Sequence, residues 1–189
     1  MKSAGIKFVD GTKLDTLSSI PTINVTGNIL SGNTNLNALF HKKVTTSVQT
    51  GIIINATTTS PTKGTTSMDK IFYRDNNDGT VTCRYQFRQT NTGTSGTGSY
   101  LFRLPSGYTF DTAIHVSVTD TNQANMASYG LGSGLVSNGG GLNLTSFIVP
   151  YNTNSFRISS SAYSYVGDSY FHLAQVNIGY SLDFTFYKG

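Results

Sequence analysis

The sequence contains no glutamate and no tryptophan, only one cysteine, and few charged residues of either sign. Charged residues make up 12% of the chain, and the lysines and arginines behind its net charge of +4 are scattered along it. Lys42-Lys43 is the only adjacent basic pair. A nucleic-acid surface typically combines a stripe of lysine and arginine with aromatic residues. The sequence therefore predicts no nucleic-acid partner. It also has no apolar run of membrane-spanning length, so no membrane partner is predicted.

A single cysteine excludes an intrachain disulfide and the cysteine clusters of zinc sites. Cys83 shares one face of an alternating segment with Val81, Tyr85 and Phe87, which predicts a small buried apolar side chain. The histidines are far apart and lack metal-ligand spacing, so we expect no metal and no cofactor. These histidines are His41, His115 and His172.

Two groups of aspartates are candidates for chemistry. Asp75-Asn76-Asn77-Asp78-Gly79 lacks the further ligands and the late glutamate of a calcium loop, so it predicts a hairpin turn. Asp111 and Asp168 could be paired as the carboxylates of a glycosidase, but nothing favours that pair over another. No serine or cysteine nucleophile has a recognisable partner pattern. The chain is predicted not to be an enzyme.

The residues that are abundant favour strands. Threonine, tyrosine, phenylalanine and valine suit a pleated surface, whereas the strong helix formers are few. From Met68 onward, strand patterns recur at intervals of about 8 to 15 residues, as in a sandwich. Residues 68–189 are therefore predicted to be an all-β, antiparallel, jelly-roll-like sandwich of about eight strands. The predicted strands are Lys70–Arg74, Thr80–Gln89, Tyr100–Leu104, Ala113–Val118, Ala127–Val136, Leu144–Val149, Phe156–Ser160 and Tyr170–Tyr187, the last broken near Asn177.

Residues 1–67 look different, because short extended pieces alternate with polar turns and no core-forming periodicity is present. They are predicted to be an extended N-terminal attachment or shaft segment, with one short helical turn at 36–43. Thr57–Thr66 is a polar linker, which places the domain boundary after Ser67. The glycine-rich loop Gly93–Ser99 is interpreted as flexible. It leads into a strand that ends at Pro105.

The remaining signal is a surface rich in tyrosine and small polar residues, a composition that suits recognition. Tyr151, Asn152, Asn154, Tyr163 and Tyr165 are predicted to line a shallow sugar-binding groove, with an ordinary hydroxyl-rich surface as the alternative. Tyr163, Tyr165 and Tyr170 are also candidates for a contact between copies of the chain, since tyrosine is enriched at interfaces.

Two stretches resemble known proteins. Gly5-Ile6-Lys7-Phe8-Val9-Asp10-Gly11-Thr12 resembles the GIxFxDGT segments of fibre and appendage proteins of tailed bacteriophages and large DNA viruses, and Thr26-Gly27-Asn28-Ile29 continues that style. Gly93–Asp111 is similar to a motif of β-domain proteins from large DNA viruses of algae and protists. The resemblance implies a virion-surface protein, commonly a trimer, with an N-terminal attachment segment and a C-terminal jelly-roll head. It carries no functional residue with it.

These observations together lead to an expected function. The chain is expected to be a virus structural protein located in the virion, as a fibre, spike or minor capsid component whose head faces outward. Its expected partners are other copies of itself, with a homotrimer favoured, other virion proteins, and a glycan or protein on the host surface. The alternative is a cellular carbohydrate-binding module or adhesin. A glycan hydrolase built on a sandwich is the third hypothesis.

Overall fold

A computed structural model describes residues 6–7, 13–14, 30–31, 34–35, 45–117, 130–139, 143–160, 166 and 171–189. The chain divides into two compact units, Met1–Lys43 and Val44–Gly189. In the first unit the described residues form two short antiparallel ribbons. These ribbons pair β1 (Ile6–Lys7) with β2 (Lys13–Leu14), and β3 (Leu30–Ser31) with β4 (Thr34–Asn35). The predicted helical turn at 36–43 lies outside the described residues.

The second unit is a nine-stranded sheet in which every strand pairs antiparallel with its neighbours. The described part of the chain contains no helix, so the predicted all-β, antiparallel, jelly-roll-like fold class is confirmed. The strand order is β5-β7-β8-β13-β10-β11-β12-β9-β6. The strands are β5 (Ser47–Thr50), β6 (Ile54–Ala56), β7 (Thr66–Asp75), β8 (Thr80–Gln89), β9 (Tyr100–Arg103), β10 (Gly132–Ser137), β11 (Asn143–Asn152), β12 (Ser155–Ser160) and β13 (Gly179–Tyr187).

The two ends of this sheet are joined by three residues of chain. β5 and β6 lie at opposite ends of the strand order, yet only Gly51, Ile52 and Ile53 separate them. The N–H of Gly51 donates to the carbonyl of Asp69 in β7, and the carbonyl of Ile53 accepts from Arg103 in β9. The sheet must therefore curl until its ends approach, so that its two halves face each other.

The interior between the two halves is filled by aromatic rings. Phe156 of β12 lies 5.1 Å from Tyr85 of β8 and 4.8 Å from Phe184 of β13, measured between ring centroids. Phe102 of β9 lies 5.4 Å from Tyr180 of β13. These strands are not neighbours in the sheet, so the contacts cross the interior. Ring pairs at such distances add to the burial energy of the core.

The last strand and the cysteine behave as predicted. Along β13, Tyr180, Leu182, Phe184 and Phe186 are buried while the residues between them are exposed. This is the alternation of an antiparallel strand with one face on the core. Cys83 is 1% exposed, and burial raises the pKa of its thiol to about 12. It is a buried apolar side chain, as predicted.

The sheet contains residues that were predicted to belong to the N-terminal segment. β5, β6 and the start of β7 precede Ser67, and the second unit begins at Val44. The predicted linker also pairs with the glycine-rich loop, through isolated antiparallel β-bridges of Thr59 with Thr97 and of Thr62 with Thr94. Short polar strands of this kind are stabilised by the neighbour they pair with, which a local pattern does not reveal.

The predicted strand Ala113–Val118 is wrong in its described part, which ends at residue 117. The chain turns there instead, because Asp111 accepts three hydrogen bonds from the residues that follow it. Its carbonyl accepts from the N–H groups of Ile114 and His115, and its side chain accepts from the N–H of Ala113. Aspartate side chains compete with strand pairing in this way. Of the predicted strand Ala127–Val136, the described part begins at Gly130, and its residues from Gly132 onward belong to β10.

Candidate functional site

The outward side chains of β7, β8, β13 and β10 form a continuous open surface, which we call the outer face. Because directly paired residues project to the same side, the register defines its rows. One row runs across the four strands through Phe72, Arg84, Asp183 and Ser133. The next row contains Lys70, Gln86, Ser181 and Leu135. The outer face thus mixes hydroxyl, amide and charged groups with a few apolar side chains.

A shallow groove of about 460 Å³ crosses the outer face at the first of these rows. Phe72 contributes apolar surface there, and the groove also borders Arg74, Thr82, Arg84, Gln86 and Asp183. A groove of this size that combines apolar surface with a few polar groups is typical of ligand sites.

The polar groups around the groove are held by cross-strand contacts. Nε of Arg84 donates to Oδ1 of Asp183 at 2.7 Å, across strands 99 residues apart in sequence. The hydroxyls of Thr82 and Thr185 are 3.0 Å apart. Both members of the ion pair are more than half exposed, so it contributes little to stability. Its effect is to orient a guanidinium and a carboxylate at the surface, where a ligand can reach them.

Three of the residues predicted to line a sugar groove are described: Tyr151, Asn152 and Asn154. They lie at the β11–β12 turn, where their side chains contact other groups of the protein. Oδ1 of Asn152 accepts from the N–H of Asn154, and Oδ1 of Asn154 accepts from the guanidinium of Arg103 at 2.9 Å. The guanidinium of buried Arg157 lies 4.9 Å from the ring centroid of Tyr151. Asn154 borders a smaller cavity of about 190 Å³ that does not contain Tyr151. The other residues predicted to line the groove, Tyr163 and Tyr165, lie outside the described residues, as does Tyr170, which was predicted to contact another copy of the chain.

The groove of the outer face was missed by sequence reasoning. Alternation along Thr80–Gln89 already places Arg84, Gln86 and Arg88 on the face opposite Cys83, and this signal was present in the sequence. The pairing of Arg84 with Asp183 was not detectable, because it depends on the register between two distant strands.

Of the groups that were considered for metal binding or catalysis, His41 and Asp168 lie outside the described residues. Among the residues that the structure describes, no three histidine, cysteine, aspartate or glutamate side chains could share a metal ion. Asp75 and Asp78 belong to the predicted hairpin turn, where Oδ1 of Asp78 accepts from both the N–H and the hydroxyl of Thr80. His172 is half-buried, and His115 joins a turn to the last strand by accepting a hydrogen bond from the N–H of Tyr187. Over the described ranges, no helix is long and apolar enough to cross a bilayer.

We predict that His115 makes the fold sensitive to acid. Its Nε2 accepts a hydrogen bond of 2.8 Å from the N–H of Tyr187, so the ring must be unprotonated there. Burial lowers the pKa of His115 below its ordinary 6.5, against an opposing effect of Asp111. Above pH 6.5 the imidazole is neutral in both the folded and the unfolded chain. Below it the unfolded chain binds a proton more readily, so stability falls as the pH drops through the lowered folded-state pKa.

The measurement is the melting temperature between about pH 8 and pH 5, the range in which histidine titrates. The variant His115→Gln keeps an acceptor oxygen near Tyr187 and removes the titrating group. On acidification, the melting temperature of the wild type should fall further than that of this variant. Parallel curves for the two proteins would show that the protonation of His115 is not linked to folding.

Comparisons with protein-family models, with curated proteins and with solved structures find no match to this chain.

Proposed function

We propose that this chain is a structural component of a virion, a fibre, spike or minor capsid protein, whose β head recognises a glycan on the host surface. The observation that carries the proposal of glycan recognition is the groove on the outer face. Around it, hydroxyl, amide, guanidinium and carboxylate groups surround one apolar ring. Sugars require such a combination, because their hydroxyls need donors and acceptors while their C–H faces pack on apolar surface.

The scaffold supports recognition by a rigid surface. The strands that bear the groove, β7, β8 and β13, have full-length pairings with one another, with nine partner pairs in each of the two interfaces. Their opposite faces are packed into the aromatic core. Side chains on regular strands are held more precisely than side chains on loops. The fibre-like segment Gly5–Thr12 supports the assignment to a virion.

A glycan array tests recognition directly. Wild-type protein is expected to bind a subset of glycans, and Gln86→Ala together with Thr82→Ala should weaken that binding about tenfold by removing hydrogen-bonding groups at the groove. The matched control is Thr145→Ala, an exposed residue of β11 that does not border the groove. If wild type binds nothing, or if the control loses as much as the groove variant, glycan recognition by this groove is excluded.

A mass measurement in solution separates a virion component from the alternative, a single cellular carbohydrate-binding module. A fibre or spike component is expected to form a closed ring of copies, with three favoured by the fibre resemblance. Sedimentation or light scattering on the full chain at micromolar concentration is expected to give three times its mass of 20.3 kDa. A stable monomer would contradict the trimer and would favour the single-module alternative.

A further inference from the structure

The outer face gathers four positive charges that are separated in the sequence. Lys70 and Arg74 project outward from β7, while Arg84 and Arg88 project outward from β8. The four are exposed. We call this set the cationic stripe.

The register spaces the stripe evenly. Arg74 lies opposite Thr82, Arg84 opposite Phe72, Lys70 opposite Gln86, and Arg88 opposite Met68. Successive outward rows therefore carry one cation each, alternately from β7 and β8. Outward rows are two residues apart, or about 7 Å, so the stripe is about 20 Å long.

Carboxylates are almost excluded from this face. Asp183 is the only acidic side chain on the outward side of β7, β8 and β13, and it pairs with Arg84. The two aspartates inside β7, Asp69 and Asp75, alternate to the other side, where they bind Lys63 and Lys188. Asp78 lies in the hairpin turn beyond the end of the stripe and binds Thr80. Four cations against one carboxylate leave a net charge of +3 on this surface.

A linear row of cations on an open face complements a linear polyanion. Two polymers have this character: an acidic polysaccharide and a single nucleic-acid strand. Nucleic-acid strands are bound by aromatic platforms on which successive bases stack. The stripe has one aromatic side chain between its cations, the partly buried Phe72, and its other neighbours include Thr82, Gln86, Ser181 and Thr185. Hydroxyl and amide groups suit sugar hydroxyls, so the surroundings favour the polysaccharide.

We propose that the ligand of the outer face is an acidic polysaccharide, sulfated or carboxylated, which lies along β7 and β8 with its anionic groups on the cationic stripe. This proposal rests on the proposed glycan recognition and names the class of glycan. Arg84 is partly neutralised by Asp183, so Lys70, Arg74 and Arg88 supply most of the attraction.

The test uses the full chain and four immobilised probes: heparin as a sulfated polysaccharide, hyaluronan as a carboxylated one, dextran as a neutral one, and a thymidine oligonucleotide. Wild type should prefer an acidic polysaccharide to dextran, and the preference should weaken as salt is raised, since exposed charges are screened. The triple variant Lys70→Gln, Arg74→Gln, Arg88→Gln should lose about tenfold in affinity.

The matched control removes three charges from the first unit, as Lys13→Gln, Lys42→Gln, Lys43→Gln, and should bind as wild type does. Melting temperatures of both variants establish that they fold. An equal loss in the control, a preference for the oligonucleotide, or equal binding of dextran and acidic polysaccharides would each overturn the acidic ligand. If the triple variant still binds neutral glycans, the proposal of glycan recognition is retained. Absence of binding to every polysaccharide here and to every glycan on the array would overturn both.

Discussion

Replacing Phe184 by alanine is expected to lower the free energy of unfolding by about 3 to 5 kcal/mol, the range for deleting a buried phenylalanine side chain. The ring is 4% exposed and lies where the two halves of the sheet meet. It stacks on Tyr85 with 5.7 Å between centroids and meets the edge of Phe156 at 4.8 Å. Alanine would leave a cavity that neither half can close alone, because both are fixed by strand pairing. Denaturant titration of the purified chain measures the loss.

The matched control is the next residue, on the opposite side of the same strand. Thr185 is exposed, and its hydroxyl pairs only with that of Thr82 among the described contacts. Thr185→Ala should cost well under 1 kcal/mol. Similar losses at the two positions would contradict the assignment of faces along β13.

Gly93→Ala is expected to cost about 2 to 3 kcal/mol through steric conflict. A Cβ atom there would lie 1.9 Å from the carbonyl oxygen of Thr62 and 2.8 Å from the nitrogen of Gly64. These atoms are backbone, so no side chain can rotate away. The N–H of Gly93 also donates to the carbonyl of Leu173 at 2.7 Å, which holds the loop from the other side. Thermal unfolding, followed by circular dichroism, measures the effect.

Gly107→Ala is the control for this substitution. Gly107 has a φ of 86°, and a Cβ atom added to it would have no neighbour within 4 Å. The cost of this substitution is therefore that of the left-handed backbone alone, about 1 kcal/mol. The loss at Gly93 should exceed that at Gly107. If the order is reversed, the loop does not pack against Thr62 as described.

The features predicted most accurately from the sequence are those that local interactions determine. The hairpin at Asn76–Gly79 has Asn77 and Gly79 at positive φ, and the turn chemistry of Asn-Asn-Asp-Gly is sufficient to indicate it. The alternation of β13 and the burial of Cys83 follow from a period of two. These features depend on residues within one strand or one turn, so a local pattern contains them.

The wrong strand at Ala113–Val118 is explained by local hydrogen bonds to Asp111. The strands β5 and β6, the packing of the glycine-rich loop and the groove were not predicted because they depend on distant partners. β5 and β6 have few apolar side chains and exist as strands because β7 and β9 offer them hydrogen bonds. Composition alone indicates a flexible loop at Gly93–Ser99, whereas its glycines permit close contact with the chain from Thr57 to Gly64. The cations of the outer face look scattered in the sequence because strand pairing, rather than adjacency, brings them together.

The junction of β5 and β6 has a further consequence for self-association. A sheet offers unpaired N–H and C=O groups to other chains only along its two terminal strands. Here these strands are four and three residues long, and one turn at Gly51 bends the chain from one to the other. Each could give an incoming strand only a few hydrogen bonds. Strand addition at β5 and β6, a common route to aggregation of β proteins, therefore finds few hydrogen-bonding groups to extend.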